Sequence, residues 1–493
     1  MCALCLVATL GRAQSSPQAA WIELGDTILR HDLRELVDSG VLTLPLTTWP
    51  MPMTDLLAAF SVARTDRLTT ETGRLAWQRV QHRIGRTAEK GFALEWQVNG
   101  GRSDLMRDVD GGPREKGELG LRWARDETRW SMALALEAVA AASDGKSVRA
   151  DQSFFTGRVG NWLLGVSLQD RHWGPAYESS LILSNNARPI PAVVFDRAVS
   201  APPEWRGLHW IGAWRATGML GILEQERHDI DRPLFFGLRI TWQPRHWFEL
   251  GLSRTAQLCG AGRPCDIQTF TDMLLGNDNI GGGGNVSAER QPGNQLAGLD
   301  ARLSSPWKAF PVAFYWQDIG EDVINKRPTD RLHLFGVQAW MSLSNGVAIR
   351  GYAEYADTSC DANLSPPAFD CAYTNNLFNA EGYRFHGRAI GHTTDADSES
   401  RAAGIYLIEP SGREWRVRVR NSAINRGGSF DPWHSLSSMP AKYDSIDVSV
   451  RQQWMGSNLE LQLGVESLRG TGHNGEVRPF GHINWRKSLG SHR

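Results

Sequence analysis

The stretch from Glu414 to Arg420 alternates apolar and cationic side chains with a period of two. Successive side chains of a β-strand point to opposite faces, so the stretch predicts a strand with one apolar face and one cationic face. Guanidinium groups must stay solvated or paired, so the cationic face borders water or acidic partners. The apolar residues are Trp415, Val417 and Val419, and the cations are Arg416, Arg418 and Arg420. Such a strand fits a lipid-facing, polar-lined barrel.

The same alternation recurs along most of the chain between Phe92 and Val465. We count about sixteen to twenty strand candidates, most of them near the length that spans a bilayer when the strand is tilted. A soluble β-propeller would need a blade repeat, and the sequence shows none. The pattern therefore predicts an all-β transmembrane fold, a large antiparallel outer-membrane β-barrel.

Connections between the predicted strands alternate between short and long. In such barrels the short turns lie on the periplasmic side and the long loops lie outside. Predicted short turns are Gln243–Arg245 and Ser344–Gly346, and Asp108–Pro113 is a further Gly and Pro turn. Predicted outer loops are Cys259–Gln295 and Thr358–Ser400.

Composition narrows the class of protein. The 493 residues carry a net charge of -1, which gives no reason to expect nucleic acid as a partner. Mean hydropathy is -0.35, 22% of the residues are charged, and no apolar run reaches about eighteen residues, so a helical membrane protein is excluded. Twenty Trp residues suit either a membrane interface or stacking on carbohydrate.

The amino-terminal residues 1–13 resemble the end of a signal peptide. Cys2–Leu10 is apolar, and Gly11-Arg12-Ala13 has the small-residue pattern of a cleavage site. A short buried segment is the alternative. We expect Cys2 and Cys5 to leave with this segment.

Residues 14–88 change to a helical period and predict a small amino-terminal α-helical domain. Asp26 is the predicted cap of a first helix that ends at Gly40, and Thr54 is the predicted cap of a second, short helix. A third helix is predicted from Thr70 to Arg86 with Ala76, Val80 and Ile84 on one face. The domain either packs as a cap on one barrel mouth or docks another periplasmic component.

The four remaining cysteines form two close pairs, Cys259 with Cys265 and Cys360 with Cys371. Close pairs in turn-rich stretches predict two loop disulfides formed in an oxidising compartment. A metal site is the rival interpretation, but neither a Cys-x2-Cys spacing nor a nearby His cluster supports it. We therefore predict no metal.

The strand alternation fails between Asp170 and Pro202. This stretch contains Trp173-Gly174-Pro175 and then Leu183-Ser184-Asn185-Asn186-Ala187-Arg188-Pro189. The combination, together with the passage Asp32–Trp49, resembles the capsule assembly Wzi family of outer-membrane proteins. The likeness spans most of the chain after residue 13.

The resemblance implies a barrel of about eighteen strands with a periplasmic helical bundle. It also implies a lectin that holds capsular polysaccharide at the cell surface, without catalysis or cofactor. We assign residues 89–487 to the barrel and the irregular residues 170–206 to an internal plug-like segment. The carboxyl end departs from the usual pattern of barrels that finish on an aromatic residue, because Trp485 is followed by Arg486–Arg493. Either Trp485 closes the last strand or the strand is displaced.

Candidate polysaccharide-binding residues are Arg416, Arg418, Arg420, Trp173, Asn185, Asn186 and Arg188. Guanidinium groups bind carboxylates of acidic glycans through charge-assisted bonds, and indoles stack on sugar faces. Alternatively the arginines pair with lumen carboxylates such as Glu354, Asp447 or Glu460. The alternative for the asparagines is that they satisfy backbone groups inside the barrel, and the alternative for Trp173 is that it forms the packed corner of a plug.

Enzyme signatures are absent from the sequence. We find no Gly-x-Ser-x-Gly elbow, no His-Glu-x-x-His and no phosphate-binding Gly-rich loop with its Lys. Gly281–Gly284 is predicted as a flexible loop. A carboxylate pair for glycoside hydrolysis stays open as an alternative, because a polar lumen offers many acids.

The predicted function is attachment or organisation of capsular or extracellular polysaccharide at the surface of a Gram-negative-type bacterium. Further expected partners are outer-membrane lipid and periplasmic export or assembly components. The alternative is an outer-membrane channel for a small solute or a nascent glycan. A plugged lumen favours the first function, and an open lumen favours the second.

Overall fold

The computed structural model describes residues 20–86, 90–100, 106–228, 230–275, 293–307, 309–324, 327–360, 368–374, 381–455 and 457–489. The predicted signal segment 1–13 and the predicted loop Gly281–Gly284 lie outside these residues.

A closed antiparallel barrel dominates the described structure. Its strands of six residues or more are β1 (Lys90–Gly100), β2 (Gly117–Asp126), β3 (Trp130–Ala140), β4 (Phe154–Val159), β5 (Trp162–Ser167), β6 (Ala192–Arg197), β7 (Ala213–Ile222), β8 (Leu234–Arg245), β9 (Phe248–Leu258), β10 (Gln295–Ser304), β11 (Val312–Ile324), β12 (Arg327–Ser342), β13 (Ala348–Asp357), β14 (Glu399–Ile408), β15 (Glu414–Ile424), β16 (Ala441–Trp454), β17 (Ser457–Gly470) and β18 (His473–Ser488). These eighteen strands confirm the predicted fold class. A short segment, Val148–Arg149, also pairs with β3.

The predicted alternation on β15 is confirmed. The outward Trp415, Val417 and Val419 are 38%, 45% and 45% exposed, and the inward Arg416, Arg418 and Arg420 are 2%, 3% and 5% exposed. Neighbouring strands repeat the pattern, since outward Ile446, Val448, Leu461 and Leu463 are exposed as well. The barrel therefore presents an apolar wall outside and polar side chains inside, as a lipid-facing barrel must.

Short turns and long loops separate to opposite ends of the barrel. Ser344–Gly346 is a tight turn, with Gly346 at φ 81° in the left-handed region that favours glycine. The predicted turn Gln243–Arg245 is shifted, because all three residues belong to β8 and the turn consists of His246 and Trp247. Strand pairing therefore runs slightly further than Pro244 suggested, since proline at the end of a strand gives up little of the ladder.

The last strand closes the barrel against the first. Trp485 of β18 is paired with Trp96 of β1, and their rings lie 6.1 Å apart. The strand continues to Ser488, which pairs with Ala93. Trp485 thus lies within the closing strand instead of ending it.

Helices precede the barrel and lie in one of its loops. They are α1 (Thr27–Asp38), α2 (Met53–Ser61), α3 (Glu71–Arg86) and α4 (Ile267–Leu275), with short 3-10 helices at Thr65–Arg67 and Arg206–Ile211. In the described parts of the chain, no helix combines the length and the apolar character needed to cross a membrane.

The first helix matches the prediction. The carboxylate of Asp26 accepts a hydrogen bond from the N–H of Leu29 at 3.2 Å, which caps α1. Gly40 follows the helix at φ 71°. In α3, Ala76 and Val80 are both buried, as the predicted face requires, and Ile84 is partly buried against the same cluster.

The predicted cap of the second helix is wrong. Helix α2 begins at Met53, before Thr54, and no side chain caps it. The hydroxyl of Thr54 instead donates to the carbonyl oxygen of Ala198 at 2.7 Å. The hydroxyl of Thr54 is thus used in a contact that is distant in sequence and is not used to cap the helix.

Helix α1 is tied to the inner barrel wall near the short turns. The carboxylate of Asp38 accepts from Arg302 at 2.7 Å and from Arg350 at 2.9 Å. Thr72 of α3 lies 2.5 Å from Ser342 at the end of β12. The helical region therefore packs against the barrel mouth that carries the short turns.

Both predicted disulfides are present in the structure. Cys259 is bonded to Cys265 and Cys360 to Cys371. Each lies beyond the end of a strand in a long loop, where a covalent link restrains chain that has few sheet hydrogen bonds.

Candidate functional site

An irregular segment between β5 and β6 crosses the inside of the barrel. Leu181 donates its N–H to the side chain of Gln317 on β11 at 3.0 Å, and Gln317 donates to the carbonyl oxygen of Trp173 at 2.9 Å. The N–H of Glu178 donates to Glu354 on β13 at 2.9 Å. Side chains of the wall thus satisfy backbone groups that would otherwise be buried and unpaired.

The amino-terminal region reaches the same segment from the short-turn end. Gly174 donates its N–H to the carbonyl oxygen of Thr47 at 2.8 Å, and His172–Trp173 pairs as a two-residue strand with Thr48–Trp49. Arg239 on β8 holds Thr48 by a side-chain hydrogen bond of 2.8 Å. Two distant stretches of the chain therefore meet within the lumen.

The predicted arginine row lies inside this filled lumen. Arg416 donates to Asp108 at 2.6 Å and to Asp110 at 2.8 Å. Arg418 bonds Asp108 and reaches Asp447 at 2.9 Å. Arg420 pairs with Glu178 of the irregular segment. Each guanidinium is buried and ion-paired, so the row holds together parts of the protein.

The carboxylate partners differ in part from those expected. Asp447 is a partner, as the alternative interpretation supposed. Glu354 instead accepts from backbone N–H groups and from the hydroxyl of Tyr315 at 2.6 Å. Glu460 accepts from Arg451 at 2.8 Å.

Asp108 and Asp110 come from the predicted Gly and Pro turn, which is present, since the N–H of Gly111 donates to the carbonyl oxygen of Asp108 at 3.0 Å. The sequence did not predict where this turn lies. Residues 106–116 fold back into the barrel, and both carboxylates are buried. Gly111 and Gly112 have φ of 95° and 110°, a conformation that glycine adopts without strain and that reverses the chain here. The reversal brings two acids to the arginines of β15.

Tyrosines surround the point where these segments meet. The rings of Tyr177 and Tyr352 stack at 4.7 Å, and the hydroxyl of Tyr406 donates to Asp110 at 2.7 Å. Of the eight tyrosines in the chain, all but Tyr355 are buried. Sequence analysis missed this cluster, although tyrosine at inward strand positions was a usable signal, since a buried phenol needs both packing and a hydrogen-bond partner.

The other predicted binding residues also lie inside. Trp173 is 2% exposed. Asn185 donates to the carbonyl oxygen of Asp108 at 2.9 Å, and Asn186 donates to that of Ala389 at 3.0 Å. Arg188 bonds Asp151 at 2.7 Å. The structure therefore places Trp173 as a packed corner and uses both asparagines to satisfy backbone groups.

Arg188 completes a charged cluster in the loop between β3 and β4. Asp144 accepts from Arg188 at 2.5 Å and from Arg149 at 2.8 Å. Burial raises the pKa of the Asp144 carboxyl, but the N–H of Lys146 and the two guanidinium groups outweigh burial and hold it at about 2. Asp144 stays ionised at every pH the cell surface meets, so Arg188 is held as a partner of this loop.

Three long loops meet at the outer end of the barrel. His228 follows β7, Glu381 precedes β14 and Trp433 follows β15. The Nδ1 atom of His228 lies 2.7 Å from a carboxylate oxygen of Glu381, and its ring lies 4.3 Å from that of Trp433. The side chain of His228 is 66% exposed. We call these three residues, with Arg384 and Asp431, the outer cluster.

Ion pairs hold the outer cluster in place. Asp431 accepts from Arg384 at 2.9 Å and from the N–H of Trp433 at 2.9 Å. Arg384 in turn bonds the buried Asp395 at 2.8 Å. The cluster thus presents an exposed imidazole beside a half-buried indole, with the buried carboxylate of Glu381 next to them. Aromatic faces with adjacent hydrogen-bonding groups suit the alternating apolar and hydroxyl surfaces of a sugar.

Sequence analysis missed the outer cluster. Its members come from stretches without periodicity and lie far apart in the chain. The segment Asp431-Pro432-Trp433 was the available signal, because a Trp beside Pro in a stretch without strand alternation favours a loop over the lipid-facing wall.

Comparison with known proteins places the chain in a family. The family model described as "Capsule assembly protein Wzi" matches residues 101–471. An uncharacterised 55.8 kDa protein in the cps region of Klebsiella pneumoniae is 28% identical over 433 residues, which cover 85% of this chain and 81% of that protein.

A solved structure shares the fold. It is described as Wzi, an outer-membrane protein involved in group 1 capsule assembly in Escherichia coli and a carbohydrate-binding β-barrel. Its TM-score is 0.84 at 23% identity, over 96% of this chain and 100% of that chain. The fold and the family model together identify an outer-membrane protein of a Gram-negative-type bacterium, and this chain belongs to the Wzi family of capsule assembly proteins.

Proposed function

We propose that this protein is a surface lectin that binds capsular polysaccharide with its outer loops and retains it at the cell surface. The observation that carries the proposal is the contrast between a filled lumen and an outer cluster that carries the exposed imidazole of His228. Inside, the predicted binding residues are buried and bonded to the protein's own groups. Outside, the imidazole of His228 is 66% exposed, and Trp433 and Glu381 lie beside it.

A transport function suits this lumen poorly. The segment that crosses it is bonded to β11 through Gln317 and to β13 through Glu354. Arg420 fixes the same segment to β15 through Glu178. A solute path would have to break contacts to several walls at once, and buried ion pairs are costly to break.

The lectin acts by binding alone in this proposal. The arginine row stiffens the barrel, and helices α1 to α3 cap its periplasmic mouth. Polysaccharide contact falls to the outer cluster, where Trp433 stacks on a sugar ring and Glu381 with His228 bonds its hydroxyls. The solved relative from Escherichia coli is itself described as carbohydrate binding, which supports the same role here.

The test compares two tryptophans at opposite ends of the barrel. Detergent-purified protein, shown to be folded by its heat-modifiable gel mobility, is titrated with polysaccharide extracted from its own cells. Trp433→Ala should weaken binding about tenfold, the effect of losing one stacking contact of about 1.4 kcal/mol. Trp307→Ala is the matched control, because Trp307 is 69% exposed but lies at a short turn.

Equal affinity of both variants with the unsubstituted protein would remove the outer cluster from the site. Absence of saturable binding by the unsubstituted protein, even at low salt, would contradict the lectin function itself. The titration is repeated across a salt series to test whether charged contacts contribute to affinity. Exposed charged contacts weaken as ionic strength rises, so a loss of affinity with salt would show that they do.

A further inference from the structure

A groove of about 720 Å³ opens on the lipid-facing wall of the barrel across strands β11 to β15. This volume falls within the range of about 300–1,000 Å³ that is typical of small-molecule sites. The groove lies on the opposite face of the wall from the lumen. It is therefore separate from the outer cluster and from the proposed lectin function.

Small outward side chains form the floor of the groove. Ala353 on β13 is paired in register with Ala403 on β14. The same row continues to Val337 on one side and to Val419 on the other. The larger side chains of Phe335 and Phe314 form one side of the groove next to Val337, and both rings are more than half exposed. Two alanines between larger side chains leave an apolar furrow on the membrane-facing surface.

A cation stands at the outer end of this furrow. Arg401 lines the groove and occupies the row next to Ala403 toward the outer loops, between Tyr355 and Asn421. Its side chain is 65% exposed, whereas its partner Glu399 is 21% exposed. The guanidinium is therefore the more accessible member of the pair, near the outer end of β14.

The same inequality recurs along this part of the rim. Arg331 is 49% exposed and its partner Asp318 is 19% exposed. Arg469 is 64% exposed and its partner Asp444 is 36% exposed. At each of these three pairs the cation is the more accessible member, so this part of the rim presents positive charge outward.

We propose that this groove is a binding site for a phosphorylated, multi-acylated glycolipid of the outer leaflet. Acyl chain fills the furrow over Ala353 and Ala403, and a phosphate group meets Arg401. Arginine suits phosphate because its planar fork forms paired charge-assisted bonds. Apolar filling alone would suit any lipid, and the cation at the outer end is what favours an anionic headgroup.

The test measures lipid that stays with the protein. Purified protein in detergent is incubated with rough lipopolysaccharide bearing phosphorylated lipid A, or with phosphatidylglycerol, and native mass spectrometry counts bound lipid. Ala403→Leu fills the furrow, and Arg401→Gln removes the cation. Arg401→Gln should lower lipopolysaccharide occupancy about fivefold, as expected for loss of one cation near an anionic headgroup. Ala403→Leu should also lower it, because the added side chain occupies the space of the acyl chain.

Matched controls exist on the opposite side of the barrel. Ala138 is an outward alanine of β3, so Ala138→Leu adds the same bulk elsewhere on the lipid face. Arg125 is 52% exposed and bonded to Glu127, two residues away, as Arg401 is bonded to Glu399. Arg125→Gln thus removes an equivalent charge from the short-turn rim. Both controls should keep the occupancy of the unsubstituted protein.

Three results would overturn the proposal. Equal occupancy in all four variants would show that the groove holds no particular lipid. Equal retention of phosphatidylglycerol and lipopolysaccharide, both reduced by Ala403→Leu, would make the groove a general acyl surface. Native mass spectrometry could also show a dimer of the unsubstituted protein and a monomer of Ala403→Leu. That result would assign the groove to a second copy of the protein. Heat-modifiable mobility confirms that each variant is folded, and polysaccharide titration reports separately on the outer cluster.

Discussion

The guanidinium of Arg418 donates to the carboxylate of Asp108, which stands 310 positions earlier in the chain. Arg416 donates to the same carboxylate at 2.6 Å. These bonds join the loop after the first strand to β15 from inside the barrel. Both arginines are buried. Loss of either partner would therefore leave an uncompensated charge inside the barrel and destabilise the folded state.

Arg418→Gln should therefore destabilise the barrel by about 3–5 kcal/mol, the usual effect of leaving a buried charge without its partner. Asp108 and Asp447 would both lose a guanidinium. The free energy of unfolding is measured by urea titration with heat-modifiable mobility as readout. The control is Arg469→Gln, which removes an exposed pair with Asp444 and should change stability by less than about 1 kcal/mol. If Arg418→Gln kept full stability but bound polysaccharide more weakly, the arginine row would instead be a binding surface.

The faces of β15 were predictable from sequence because a strand has a fixed period of two. That period placed Arg416, Arg418 and Arg420 together without any knowledge of neighbours. It could not identify Asp108 as their partner, because Asp108 lies in a Gly and Pro stretch whose local pattern is that of an ordinary turn. The fold-back of that stretch depends on charges brought by β15, which local pattern does not encode.

The cysteine pairs and the outer cluster show that contacts close in the sequence can be predicted and that contacts between distant loops cannot. Cys259 and Cys265 are six positions apart, so proximity in the chain was enough to pair them. His228 and Glu381 are separated by 153 positions in loops without alternation. Their meeting depends on the order of the strands around the barrel, and only the structure supplies that order.

Gly251→Ala should damage a second buried ion pair. A Cβ at Gly251 on β9 would lie 2.5 Å from Arg239 Nη2 and 2.6 Å from Asp300 Oδ2, and Arg239 is bonded to Asp300 at 2.5 Å. Overpacking of this kind costs about 1–3 kcal/mol. Gly351→Ala is the control, because its Cβ would meet only ordinary contacts at 3.7 and 3.8 Å. Urea titration should separate the two variants, and equal stability would show that the pair moves aside freely.

Planar-bilayer recordings should show no conductance steps for the unsubstituted protein. The segment between Trp173 and Leu183 closes on itself, since the N–H of Trp173 donates to the carbonyl oxygen of Leu183 at 2.9 Å. Replacement of residues 176–181 by two glycines therefore keeps the ends near each other while removing the bond from Leu181 to Gln317 and the bond from Glu178 to Glu354. This variant should conduct. Steps from the unsubstituted protein would restore the channel as the better function, and a silent variant that is folded would place the seal elsewhere.

The outer loop that contains Asp397 should become more stable as pH falls. Asp397 is buried beside β14, where its carboxylate accepts from the N–H of Asp370 at 3.0 Å. Burial, and then the charges of Asp370, Asp395 and Asp431, raise the pKa of Asp397 from 3.8 to about 7 against that hydrogen bond. Because the pKa is raised in the folded state, the stabilisation is fully present below about 3.8 and is lost as pH rises through about 7.

Hydrogen exchange of the loop amides, corrected for intrinsic rates, measures this stability at pH 5 and pH 8. Protection should be greater at pH 5 in the unsubstituted protein. Asp397→Asn mimics the neutral carboxyl, so its protection should be high at both values and nearly independent of pH. The exposed Asp66, paired with Arg64 in the helical region, supplies the control Asp66→Asn, which should leave the pH dependence of the loop unchanged. If Asp397→Asn keeps the same difference between pH 5 and pH 8, another group controls the loop and the assignment to Asp397 fails.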